Sequence, residues 1–107
     1  MSANKEFVQY IADQLHKAGE IRYRMMFGAY SVYCDDKLFG IVGDGALYVK
    51  ITQAGASVWP DLPQVPPYEG AKPYFLVEDV DDGERLTALV TATCAELPPP
   101  KPKKKRT

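Results

Sequence analysis

RMMFGAYSVYCDDKLFGIVGDGALYVK, residues 24–50, sets short apolar runs between compact turn signals at Gly28-Ala29, Asp35-Asp36 and Gly43-Asp44-Gly45. Each run is rich in aromatic, β-branched and aliphatic residues that suit a pleated, half-buried surface, and each gap is too short for a parallel crossover. The stretch therefore predicts an antiparallel meander of four neighbouring strands joined by three hairpins. Its central hairpin falls at residues 43–45, because glycine accepts the positive φ that tight turns demand. Alternation puts Leu47, Val49 and Ile51 on one side and Tyr48 and Lys50 on the other. One face then packs on helices while a tyrosine face stays partly open for binding.

Upstream, the pattern changes to that of a helix. From Lys5 to Lys17, Phe7, Ile11, Leu15 and Ala18 recur at helical spacing, with Val8 and Tyr10 widening the stripe. Asn4 or Ser2 is suited to cap its start, and Gly19 to end it before Glu20 to Tyr23 lead into the first strand. Downstream, Thr52 is placed to cap a short helical turn, and Pro60, Pro63, Pro66 and Pro67 predict an irregular loop. Trp59, at the start of that loop, reads as a lid over the core, because a lone large aromatic repays burial. Lys72 to Val77 is a final strand. Asp81 with Glu84 resembles a capping box for a closing helix whose inner stripe is Leu86, Leu89, Val90, Thr93 and Leu97, ended by Pro98. The expected fold is α+β, an antiparallel meander of about five strands with N- and C-terminal helices packed on one face.

A chain of 107 residues, 46% hydrophobic and 25% charged, fits one globular domain able to bury a core without staples. No run approaches the roughly 18 apolar residues of a membrane span, and MSANKEFVQ lacks the features of a signal peptide, so a cytoplasmic protein is expected. The net charge of −1 hides an asymmetry. Residues 1–97 hold all 14 acidic residues against 8 Lys and Arg, or −6, while residues 98–107 carry Lys101, Lys103, Lys104, Lys105 and Arg106, or +5. The expected organisation is a folded domain over 1–97 and a disordered Pro/Lys-rich basic tail over 98–107. Such a tail has two readings: contact with nucleic-acid phosphates by counterion displacement, or a solubilising arm screened from the acidic body. Nothing in it reads bases.

Signatures of chemistry are sparse. His16 is the single histidine and falls on the outer face of the first helix, and no spacing brings Cys34 and Cys94 together with it as a nucleophile-base pair or a zinc site. Both cysteines read as small buried hydrophobes kept reduced. Gly40, Gly43 and Gly45 join two strands rather than opening a helix, and no Gly-Lys-Ser/Thr follows, so they are hairpin glycines and not a phosphate loop. Asp35-Asp36 and Asp81-Asp82 read as turn and cap residues. No catalytic residue, cofactor or metal is expected. Arg24, Tyr30, Tyr33, Tyr48 and Lys50 have two readings: long stems and rings that cover apolar surface, or a polar-aromatic patch for a partner protein. An exposed sheet edge or aromatic face would serve a homodimer or a different partner alike.

The same stretch carries a resemblance. Arg24, Met26, Phe27, Gly28 and Tyr30, then Tyr33, Asp35, Lys37 and Phe39, then Asp44, Gly45, Leu47, Tyr48 and Lys50 resemble the signature of the N-terminal domain of the TfoX/Sxy competence regulators. Tyr68-Glu69-Gly70, Lys72-Pro73 and the closing helix continue the match more loosely, over roughly residues 5–97. The resemblance implies a two-layer sandwich like that of secretion chaperones and no catalytic residues. It also implies a bacterial setting of transcription regulation in natural competence, alongside the cyclic-AMP receptor protein. Full-length regulators of that kind carry a helical C-terminal domain, where this chain shows only the basic tail. The reading is a non-enzymatic regulatory or protein-interaction module. The alternative is a weak nucleic-acid-binding accessory protein acting through the tail.

Overall fold

The alternation in residues 24–50 is realised as strands. In a computed structural model, which describes residues 5–26, 28–43 and 45–98, β1 (Ile21–Met26), β2 (Ala29–Cys34), β3 (Lys37–Val42) and β4 (Leu47–Val49) pair antiparallel in chain order. A strand pair follows: β5 (Gln64–Val65) and β6 (Tyr74–Val77), of which β6 lies against β4 and β5 lies outside it. The six-stranded sheet has the order β1-β2-β3-β4-β6-β5. Its turns use the residues they require. The two-residue β2–β3 loop holds Asp35 at φ 51° and Asp36 at φ 69°, the left-handed pair that matches strand twist and that short polar side chains tolerate.

Register decides which side chains meet the helices. Following the pairs across the sheet, Tyr30, Val42, Leu47 and Val77 form one row, and Val32, Gly40, Val49 and Phe75 the next. The non-glycine members of both rows are buried. Against them pack α1 (Lys5–Gln14) through Val8 and Ile11, the following turn through Leu15, and α3 (Gly83–Glu96) through Leu86, Leu89, Val90, Thr93 and Cys94. Fully burying each such Leu, Ile or Val contributes about 1.5–3 kcal/mol. β3 carries one extra residue where the register shifts between Val32 and Tyr33. Gly40 faces Val32 and Leu38 faces Tyr33, which leaves Phe39 over, and the bulge turns its ring into the core. α2 (Gln53–Val58) begins as expected: Thr52 Oγ1 accepts from the Gly55 N–H at 2.9 Å. Trp59 is buried at 7% exposure, with the Arg85 guanidinium 4.4 Å from its ring centre.

Three details differ from the sequence reading. The proline loop yields β5, whose register is held by Gln64↔Phe75 and Val65↔Tyr74 and by the Leu76 N–H donating to the Pro63 carbonyl at 2.8 Å. A proline lacks a donor but keeps its acceptor, so it can start an edge strand. Ile51 does not join Leu47 and Val49. It lies past the end of β4 and is exposed, because the chain leaves the sheet to start α2. The cap of α3 is Asp82, whose carboxylate accepts from the Arg85 N–H at 3.2 Å, while Asp81 accepts the Tyr10 hydroxyl and so ties α1 to the start of α3. The proposed caps Ser2 and Asn4, with Phe27, Asp44 and the basic residues of the tail, lie outside the described residues. No described helix is long and apolar enough to cross a membrane.

Candidate interaction surface

The face turned away from the helices is built by the complementary rows. Arg24↔Ser31, Ser31↔Ile41, Ile41↔Tyr48 and Tyr48↔Leu76 trace one row across five strands, and Arg22↔Tyr33 and Tyr33↔Leu38 begin the neighbouring one. Over the first row folds the loop after β5. Its Pro67 and Tyr68 help enclose a pocket of about 650 Å³ with Met26, Ser31, Ile41 and Tyr48. The lining is mostly apolar, with the Ser31 hydroxyl and the tyrosines Tyr30, Tyr48 and Tyr68 among it, the make-up of a recognition pocket. Ser31 Oγ lies 3.9 Å from the Met26 sulfur, and Tyr68 is 64% exposed at the rim.

Of the residues singled out in the sequence, Arg24, Tyr33 and Tyr48 share this face. Tyr30 borders the same pocket but belongs to the other row of its strand. It sits in the helix-side row opposite Met25, buried, with its ring edge-on to Tyr23 at 5.6 Å between centres. Lys50 lies half-buried one residue past β4, its N–H donating to the Phe39 carbonyl at 2.8 Å. Arg22 pairs with Glu20 at 3.1 Å and Asp36 at 4.0 Å, and its guanidinium is held above its ordinary value by Glu20 first. Arg24 makes no ion pair among the described residues. Met26 shares Arg24's alternation and was legible as part of this face. Pro67 and Tyr68 were not, because nothing local says where a proline-rich loop will land.

The two cysteines come together, but without His16. Cys34 on β2 and Cys94 on α3 lie within hydrogen-bonding reach, and the Cys34 thiol also donates to the Ala18 carbonyl at 3.5 Å. Burial pushes both thiols up, Cys94 to about 12 with the neighbouring Cys34 adding to the effect, so both stay protonated near neutral pH. His16 lies elsewhere, exposed in the groove between α1 and α3, with Nδ1 2.8 Å from the Asp13 carbonyl. Among the described residues no group of three or more His, Cys, Asp or Glu is placed to hold a metal ion.

The family model of the TfoX N-terminal domain matches residues 13–97, and the chain belongs to that family. It is 33% identical over 108 residues to an uncharacterized 12.7 kDa protein in the trpE 5' region of Spirochaeta aurantia, a match spanning all of this chain and 94% of that one. It is also 41% identical over 44 residues to protein Sxy of Escherichia coli strain K12, covering 41% of this chain and 21% of Sxy.

Proposed function

We propose that this domain is a non-enzymatic, cytoplasmic regulatory module that binds another protein through the helix-free face of its sheet. The observation that carries the reading is the row Arg24, Ser31, Ile41, Tyr48, whose last three members line an apolar pocket with Pro67 and Tyr68 and whose first is a guanidinium with no ion pair among the described residues. Arg and Tyr concentrate binding energy when a partner desolvates them. The protonated state of the two thiols supports a module without nucleophilic chemistry. Kinship with the TfoX N-terminal domain and with Sxy supports competence-related transcription as the setting and a transcription regulator as the partner class.

The test is affinity capture by the wild-type chain, followed by titration of each purified captured protein against an Arg24→Glu/Tyr48→Ala variant. A partner that uses this face should bind the variant at least about thirtyfold more weakly, the scale of losing one strong anchor. Captured proteins that titrate equally with both forms refute the assignment of the face. The basic tail supports a second reading as a weak nucleic-acid contact. Salt-sensitive binding of duplex DNA by the full chain, lost in a 1–97 truncation, would establish it, and DNA binding by neither form would remove it.

A further inference from the structure

The two edges of the sheet are built differently. β5 ends one side with two residues, set between Pro63 and Pro66-Pro67, prolines that offer no N–H to an incoming strand. β1 ends the other with six residues in unbroken register against β2, from Ile21↔Cys34 to Met26↔Ala29, without proline, lysine, glycine or bulge. In an antiparallel pair only alternate residues of an edge strand bond inward. β1 therefore presents an outward row of N–H and C=O groups with no strand against it among the described residues. The end of that edge is also apolar and open, with Met25 63% and Met26 45% exposed.

We propose that β1 is a docking edge that takes an extended acidic segment of a partner protein as an added strand. This rests on the protein-binding reading above and specifies its position and chemistry. Charge selects the occupant. Arg22 and Arg24 project side by side on the helix-free face, and Arg24 has no acidic partner among the described residues. An added strand with Asp or Glu at alternate positions sets a carboxylate beside Arg24, where the planar fork can bond it bidentately, and another beside Arg22, where it competes with the exposed Glu20 and Asp36 pairs. The intervening residues of that strand lie beside Tyr23 and Met25, which calls for apolar side chains there.

A second copy of the chain fits this edge poorly. With both helix layers on the same side, the two registers that pair the most residues of β1 with a second β1, centred on Tyr23 or on Arg24, set Arg22 opposite Arg24 or Arg24 opposite Arg24 across the two-fold axis, and like charges directly opposed are destabilising.

The experiment titrates the intact, 15N-labelled chain with a short peptide alternating valine and glutamate. Amide shifts should concentrate on residues 21–26, with slowed exchange of the outward amides and binding that weakens with salt. An Arg22→Glu/Arg24→Glu variant, altered only at exposed positions, should keep its spectrum elsewhere and lose at least about tenfold in affinity. It should gain affinity for a valine-lysine peptide. Methylating alternate peptide nitrogens should abolish binding, since the docking bonds are backbone bonds. The proposal is overturned by no binding up to about 1 mM peptide, or by equal binding of the methylated peptide. Shifts mapping to Tyr33, Tyr48 and Tyr68 instead would overturn the edge while leaving the helix-free face as a binding surface. Wild-type self-association in sedimentation that maps to β1 would assign the edge to a second copy.

Discussion

Gly40→Ala in the middle of β3 should be among the most damaging single-methyl additions to this domain. Gly40 sits between Val32 and Val49 in the register. A Cβ built there overlaps the Tyr48 carbonyl oxygen and lies 3.1 Å from the Tyr48 carbonyl carbon and 3.3 Å from the Val49 Cα. All three are backbone atoms of β4, so no rotamer change relieves the contact and the strand itself must move. Two effects oppose. Replacing glycine by alanine reduces the freedom of the unfolded chain and by itself stabilises by about 0.4–1 kcal/mol. Overpacking costs about 1–3 kcal/mol, and the upper end applies where backbone must shift. The clash wins, with a net loss of about 2 kcal/mol from a total of about 5–15 kcal/mol. With a urea m-value of about 1 kcal/mol/M, the unfolding midpoint followed by Trp59 fluorescence should fall by about 2 M. Gly45→Ala separates steric from dihedral causes. Gly45 has φ 81° and open space where the methyl would go, so its cost should stop near 1 kcal/mol. Because Tyr48 lines the open-face pocket, Gly40→Ala should also weaken partner binding in the folded fraction. A Gly40→Ala midpoint equal to or above wild type would refute the reasoning.

Three other outcomes follow from single atoms. Thr52→Ala removes the acceptor for the buried Gly55 N–H and should cost about 1–2 kcal/mol by thermal melting, with Thr52→Ser restoring most of it. Thr93 Oγ1 is buried without a hydrogen-bond partner, so Thr93→Val should raise stability by about 1 kcal/mol, and a lower melting temperature would show that the hydroxyl is satisfied. Cys94 titrates near 12 in the fold against 9.0 as its ordinary value, so the native state holds the proton longer than the unfolded chain. Its contribution is intact below about pH 9 and is lost as pH rises toward 12, by up to about 1.4 kcal/mol per unit. Between about pH 8 and 10.5 the urea midpoint of wild type should therefore fall more steeply than that of Cys94→Ala. Equal slopes would place the titration elsewhere.

Much of this protein is determined by local pattern. Period-two alternation and short polar or glycine turns over residues 24–50 lead to a meander, and helical spacing leads to α1 and α3, because each signal concerns residues that are neighbours along the chain. The same rule already separates Tyr30 from Tyr33. They are an odd number of positions apart on one unbroken strand, so they point to opposite faces, and only Tyr33 joins Arg24 and Tyr48. Tertiary structure decided what required distant segments to meet. The bulge at Phe39 arises from the fit of β3 to β2, and Asp82 caps α3 while Asp81 is engaged by Tyr10 across the helix layer. Cys34 and Cys94 share one buried site, and Pro67 and Tyr68 close over the open face, because packing the chain into one core brings remote positions together. That β1 is left as an open edge while β5 is guarded by prolines depends on strand order, which follows from how the whole sheet pairs and not from the residues of either strand alone.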